Sequence, residues 1–388
     1  MYDFDKLTER RNTGSLKWDV TERELPMWVA DMDFETAPEI REAIRERAAH
    51  GIFGYNIVTE DWYDAYIGWW SRRHHITFER DWLIFCTGVV PAISSAVRKL
   101  TTVGENVLVQ TPVYNIFFNS IRNNGRNILE SPLVYDGREY HIDFADLEKK
   151  LSDPQTTLML LCNPHNPVGK IWNRETLEKI GELCAKHHVL VLSDEIHCDM
   201  TDPGYEYIPF ASVSETCREN SITCIAPTKT FSIPGIQTAA VMVPNPVIRH
   251  KLNRGLNTDE VAEPNSFAVC AAVAAFEKGE PWLEELRQYL ADNKQLVRDF
   301  VERELPAICV VPSHATYLLW LDCGYVTHNA TELVHFIREH SGLYLTEGEE
   351  YGKPGKKFIR LNTACPRARL EEGLNRLRDS VRAYAEKR

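Results

Sequence analysis

Three stretches carry side chains that together could do amine–carbonyl chemistry. Ala226-Pro-Thr-Lys-Thr-Phe-Ser-Ile-Pro-Gly235 places one lysine, Lys229, among small, hydroxyl and apolar residues, with no acidic partner within several positions. Burial lowers the pKa of an ammonium group, and a neutral amine is the form that condenses with a carbonyl. Asp194-Glu-Ile-His197 offers a carboxylate that can pair with a protonated ring nitrogen and so make that ring an electron sink; His197 can hydrogen-bond beside it. Asn163-Pro-His-Asn-Pro-Val-Gly169 reads as a tight loop, with Asn166 as its free polar side chain. Taken singly, each stretch has a plainer reading, since Asp194-Glu195 could cap a helix and the Asn-Pro loop could be a bare turn.

Each stretch follows its own apolar run: Leu158–Cys162, Val189–Ser193 and Ser221–Ile225. Between these runs lie helical patterns at Phe144–Leu151 and Arg174–His187, an alternation that predicts a mostly parallel sheet between helices. Ligands of such sheets gather at the strand ends. Phe85-Cys-Thr-Gly-Val-Val-Pro adds a strand, a glycine turn and a helix start, where the free N–H groups of Gly88, Val89 and Val90 can hold an anion. Arg360 interrupts the apolar strand Phe358-Ile-Arg-Leu-Asn362 and needs an anionic partner, either an internal carboxylate or a ligand.

In this order, the motifs resemble those of the fold type I pyridoxal-phosphate enzymes, the aspartate aminotransferase superfamily. Leu25-Pro-Met-Trp-Val-Ala-Asp-Met-Asp-Phe34, Asp194-Glu-Ile-His-Cys-Asp199 and Pro227-Thr-Lys-Thr-Phe231 are similar to its cystathionine β-lyase branch, of the MalY and PatB type. The resemblance implies pyridoxal 5'-phosphate held by Lys229, with Asp194 on the ring nitrogen and Asn166 and His197 on the ring-oxygen side. Tyr114 would stack on the ring, and Gly88, Val89, Val90 and Thr228 would hold the phosphate. Tyr55 would reach across a homodimer to the neighbouring subunit's phosphate. Arg360 would fork the substrate carboxylate, with the backbone near Ala30 facing the substrate. Lys229 would move the Cα proton, and Lys229 or Tyr114 would protonate the departing sulfur. Gln237 departs from the pattern, because many aminotransferases have a phosphate-binding arginine there; weaker cofactor retention follows.

The implied activity is α,β-elimination on L-cystathionine and related sulfur amino acids, with a place in methionine biosynthesis. The alternatives are an aminotransferase, which needs a 2-oxo acid acceptor, and an additional regulatory binding role, known in that branch. The implied fold is a large α/β domain with a mostly parallel sheet, residues 51–284. A smaller α/β domain comes from both chain ends, with an arm at 1–50 and a C-terminal part at 285–388.

Composition agrees with a folded globular protein. The 388 residues are 44% hydrophobic and 26% charged, and 44 basic against 56 acidic residues give a net charge of −12, which disfavours nucleic acid as a partner. No apolar run reaches the length of a membrane span and the opening lacks a signal-peptide core, so a cytoplasmic location is expected. The ten cysteines, among them Cys162, Cys224 and Cys309, read as reduced core residues, and no histidine spacing predicts a metal site. The helix 37–49 is expected to open with Thr36 as its cap. Trp62, Tyr66, Trp69 and Trp70 on the helix 61–74 read as core or dimer packing.

Overall fold

The computed structural model describes residues 2–387; Met1 and Arg388, the outer limits of the expected arm and C-terminal part, lie outside them. Short runs rich in Leu, Val and Ile, covered on both faces, form one seven-stranded sheet. Its order is Leu83–Cys86, Ala239–Met242, Ser221–Ile225, Leu190–Asp194, Thr156–Cys162, Asn106–Val109, Asn127–Glu130. Ala239–Met242 runs antiparallel to both neighbours, and the remaining pairings are parallel. The link 226–238 contains only the 3₁₀ turn Pro234–Ile236, so the chain turns back here without the helical crossover that a parallel strand requires. The mostly parallel sheet between helices matches the sequence reading.

Side chains start several of the flanking helices. Asp143 accepts the amides of Ala145 and Asp146 ahead of Phe144–Leu151, and Asn173 accepts that of Thr176 ahead of Arg174–Lys186. The helix Pro38–Ala49 differs from expectation. Ala37 occupies its cap position, Pro38 its first turn, and the buried Thr36 hydroxyl has no partner. Pro38 presets the first helical turn, and this places the cap one residue later than the threonine. Trp62, Tyr66, Trp69 and Trp70 of the helix Glu60–His74 are fully buried and build an aromatic core with Phe276.

The 25-residue helix Glu280–Glu304 links two cores. Trp282, Leu283 and Leu286 at its start pack in the aromatic core, while Val297 and Val301 near its end pack in a second core. That second core lies under an antiparallel sheet in the order Cys309–Val310, Leu318–Asp322, Phe358–Asn362, Thr346–Glu347. Leu25–Pro26, far away in sequence, pairs in parallel with Leu343–Tyr344. All ten cysteines are free thiols, and eight of them are buried. Cys309 corrects the core reading, because it is exposed on the outer strand of the smaller sheet, where one face meets solvent.

Candidate active site

The turns that leave Leu83–Cys86, Thr156–Cys162, Leu190–Asp194 and Ser221–Ile225 meet over one edge of the large sheet. They enclose a cavity of about 270 Å³, lined by Gly88, Val89, Val90, Tyr114, Asn166, Asp194, His197, Thr228, Lys229 and Gln237, with Ala30 entering from the N-terminal segment. The sequence-predicted residues are thus brought together, with two exceptions. Arg360 stands behind Asn166, donating to its Oδ1 at 3.4 Å. Tyr55 is fully exposed and lies outside this cavity.

Local structure explains the placement. Gly169 closes the Asn-Pro loop at φ +73°, and a Cβ there would fall 2.0 Å from Ser313 Oγ and 2.7 Å from the Ala315 carbonyl, so only glycine fits. Asn163 Nδ2 donates to the Ile208 carbonyl at 2.9 Å. The Val89–Leu100 helix starts at Gly88 with no side-chain cap, leaving its first N–H groups for a ligand. Asp194 accepts the Ile196 amide at 3.2 Å in a turn that starts no helix, which corrects the capping reading. Thr230, next to Lys229, donates to Asp199 Oδ2 at 3.1 Å.

Burial dominates the electrostatics. It pushes the Asp194 carboxyl up to about 7, against the opposing pull of the Ile196 amide and Lys229. It brings the Lys229 ammonium down to about 8; Arg360 adds to this, while Asp31 and Asp194 oppose it. It holds His197 near 3, reinforced by Lys229 and Arg360, and raises the Tyr114 phenol to about 12. His197 is therefore neutral and Tyr114 protonated near neutral pH. Lys229 Nζ donates to the Ala30 carbonyl, and Tyr317 OH donates to the same oxygen at 3.0 Å.

These features fit pyridoxal phosphate. Among the described residues the buried Asp194 carboxylate has no ion-pair partner within bonding distance, and the Nδ1 of His197 and Nε of Arg360 are buried without partners. Such orphaned polar atoms are costly unless a ligand meets them. Arg360 donates from its NH2 group to the Trp28 carbonyl at 2.8 Å, and its guanidinium lies over the Tyr351 ring. Among the described residues no carboxylate pairs with it, so the internal ion-pair reading falls away. His74, Cys198 and Asp199 are the group of metal-type donors brought together among the described residues. There Arg73 lies 3.4 Å from Asp199, and Trp69 and Thr230 also donate to it, so its charge is already matched.

Sequence reasoning missed three residues. Tyr317 is buried beside His197, Asn362 holds the carbonyls of Val29 and Asp31, and the buried Glu195 accepts Ser193, Tyr207 and the Phe210 amide. Tyr317 precedes the apolar strand Leu318–Asp322 and Asn362 ends the strand Phe358–Asn362, which is the signal that could have found them.

With this geometry established, comparison defines the class of protein. The chain belongs to the aminotransferase class I and II family, whose description matches residues 25–377. Within the family it is similar to cystathionine β-lyase PatB of Bacillus subtilis, 44% identical over 98% of this chain and 100% of PatB. It is also similar to MalY of Escherichia coli, 34% identical over 99% of this chain and 100% of that protein. Cystalysin of Treponema denticola, solved with pyridoxal 5'-phosphate, superposes with a TM-score of 0.95 at 34% identity, covering 99% of each chain.

Proposed function

We propose that this chain is a pyridoxal-phosphate-dependent carbon–sulfur lyase of the cystathionine β-lyase type. It splits L-cystathionine and related sulfur amino acids by α,β-elimination, taking up one water and releasing thiol, pyruvate and ammonia. One observation carries the reading: Lys229, Asp194 and Asn166 line one cavity, with Arg360 directly behind Asn166, in a chain 44% identical to cystathionine β-lyase PatB.

Pyridoxal phosphate, when bound, supplies an electron-withdrawing ring that makes the substrate's Cα–H acidic. Asp194 would hold the proton on the ring nitrogen, with its charge matched there as it is not matched by the protein alone. Asn166 and neutral His197 would flank the ring oxygen, and Tyr114 would cover the ring face. The first amides of the helix after Gly88, with Thr228, would take the phosphate. Arg360 binds the substrate carboxylate through its free Nε edge. Lys229, held near 8, is a base able to take the Cα proton close to neutral pH. Tyr114, protonated at that pH, can give a proton to the departing sulfur, as can the protonated Lys229.

The protein works as a homodimer in this reading. Ile52, Phe53, Tyr55 and Ile57 form an exposed apolar stretch of the kind that marks an interface, and Tyr55 would complete the partner's phosphate site. Among the described residues no helix is long and apolar enough to cross a membrane. We assign the enzyme to the cytoplasm, in methionine formation. The domain limits follow the sequence division at about residues 50 and 284, near the start of the helix that joins the two cores.

Protein loaded with pyridoxal phosphate and given L-cystathionine without any oxo acid is expected to release homocysteine, pyruvate and ammonia over many turnovers. Absence of thiol release, together with catalytic exchange of amino groups with an added 2-oxo acid, would overturn the reading.

A further inference from the structure

The motif Trp28-Val-Ala-Asp-Met-Asp-Phe34 contains two aspartates, Asp31 and Asp33, to which the reaction assigns nothing. Residues 27–37 form no helix or strand, so their backbone groups need partners from elsewhere. Five consecutive carbonyls find them in side chains. Trp28 O accepts Arg360 at 2.8 Å and Thr346 at 3.1 Å, and Val29 O accepts Asn362 at 2.6 Å. Ala30 O accepts Lys229 and Tyr317. Asp31 O accepts Asn362 at 2.7 Å and Lys17 at 3.3 Å, and Met32 O accepts Arg10 at 3.0 Å.

Charge fixes one end of this segment. Arg10 NH2 lies 2.8 Å from Asp31 Oδ2, and Arg10 NH1 lies 2.8 Å from Asp33 Oδ1. The Asp33 and Lys17 side chains are both buried to 1% exposure and pair at 3.1 Å, and Trp18 Nε1 donates to the same carboxylate at 2.7 Å. Burial alone would push the Asp33 carboxyl up; Lys17, Trp18 and Arg10 overrule it and hold it below its ordinary range. A buried pair satisfied on this scale resists displacement, because moving one partner leaves the other charged and unpaired.

We propose that Arg10, Lys17 and Asp33 are positioning residues of the reaction: through the Arg10–Asp31 and Lys17–Asp33 pairs they hold residues 28–32 so that the Ala30 carbonyl keeps its place on the wall of the catalytic cavity. None of the three touches the reacting atoms. They act through the backbone segment that carries Ala30 into the catalytic cavity. The proposal rests on the lyase reading only for which reaction is measured.

Arg10→Met is the test, because Arg10 lies at the partly exposed edge of the cluster, whereas Asp33→Asn would strip the buried Lys17 of its nearer carboxylate and leave it only Asp31 at 3.4 Å. Two readouts are taken on protein loaded with pyridoxal phosphate. Amide hydrogen exchange at residues 28–33 is expected to rise about tenfold or more while the large sheet stays protected. KM for the amino-acid substrate is expected to rise about tenfold, with kcat changed less than about threefold. Arg10→Lys, which keeps the charge, should restore part of both. Unchanged exchange at 28–33, exchange raised equally across the sheet, or faster exchange with unchanged KM would each overturn the positioning role. Should the unaltered protein release no thiol, the lyase reading fails instead, and the same two readouts are taken on the amino exchange it does catalyse.

Discussion

Asp194 ends one of three adjacent parallel strands, and Asn166 and Lys229 stand on the turns leaving the other two, whereas the segment Trp28–Met32 that faces them belongs to no ladder. The first wall takes its position from backbone pairing in the large sheet, where the register is fixed by many equivalent bonds. The second is held by individual side chains from the N-terminal arm, the smaller sheet and the lysine itself. A ladder tolerates the loss of one member, but a carbonyl held by one guanidinium or one amide does not. In the proposed reaction, chemistry therefore sits on the stiff wall, and substrate fit is delegated to a wall that single substitutions can disturb.

Substitutions on the first wall should show the largest effects. Lys229→Ala is expected to abolish the visible absorption of cofactor bound through this residue and to lower kcat by about ten-thousandfold, as loss of a positioned base does. Retention of a borohydride-trappable adduct on another lysine would move the attachment point.

Asp194→Asn should keep cofactor bound while lowering kcat about a hundredfold or more, because a neutral amide cannot hold the ring nitrogen protonated. It also has a signature in the cofactor-free protein. With its carboxyl raised to about 7 in the folded chain from an ordinary value of 3.8, the folded state binds the proton more tightly than the unfolded state. Stability from this group is then undiminished below about pH 4 and lost as the pH climbs to 7, by about 4 kcal/mol in all. Denaturation curves of parent and variant should diverge across that window, with the variant gaining; parallel curves would show that the carboxylate is matched by something within the protein.

On the boundary between the walls, Arg360→Ala is expected to cost about 3 kcal/mol in kcat/KM, chiefly through KM. Unaltered kinetics would make it a structural brace for Trp28 alone. The smallest effect is expected from Gln237→Arg, which adds a second cation to a cavity whose lining already holds Lys229: pyridoxal phosphate should dissociate about five- to tenfold more slowly, a gain near 1 kcal/mol. A cofactor off-rate that stays the same would place Gln237 away from the phosphate.

The same contrast explains what could be read from the sequence. The strands, the Asn-Pro loop, Asp194, Lys229 and the glycine turn were legible because each chemical residue directly follows an apolar run that fixes where it must lie. Arg360 was legible as a charge inside an apolar strand. Asp31, Asp33, Tyr317 and Asn362 were not, since the partners named above lie between 14 and 333 positions away and no periodicity links them. Thr36 misled because cap preference is local while Pro38 decides where the turn begins. Cys309 misled because an apolar run of two paired residues at a sheet edge buries only one face.

The Ala30 carbonyl has two lone pairs, and Lys229 uses one while Tyr317 uses the other. When, in the proposed reaction, the amine turns away to its chemistry, the oxygen keeps its phenolic donor and is never stripped of all company in a poorly hydrated place. The departure thus forfeits a single hydrogen bond, worth about 1 kcal/mol net, rather than the larger penalty of an abandoned acceptor. Tyr317 acts in this way as a standing deputy, making the lysine's berth easy to vacate and easy to reclaim at every turnover.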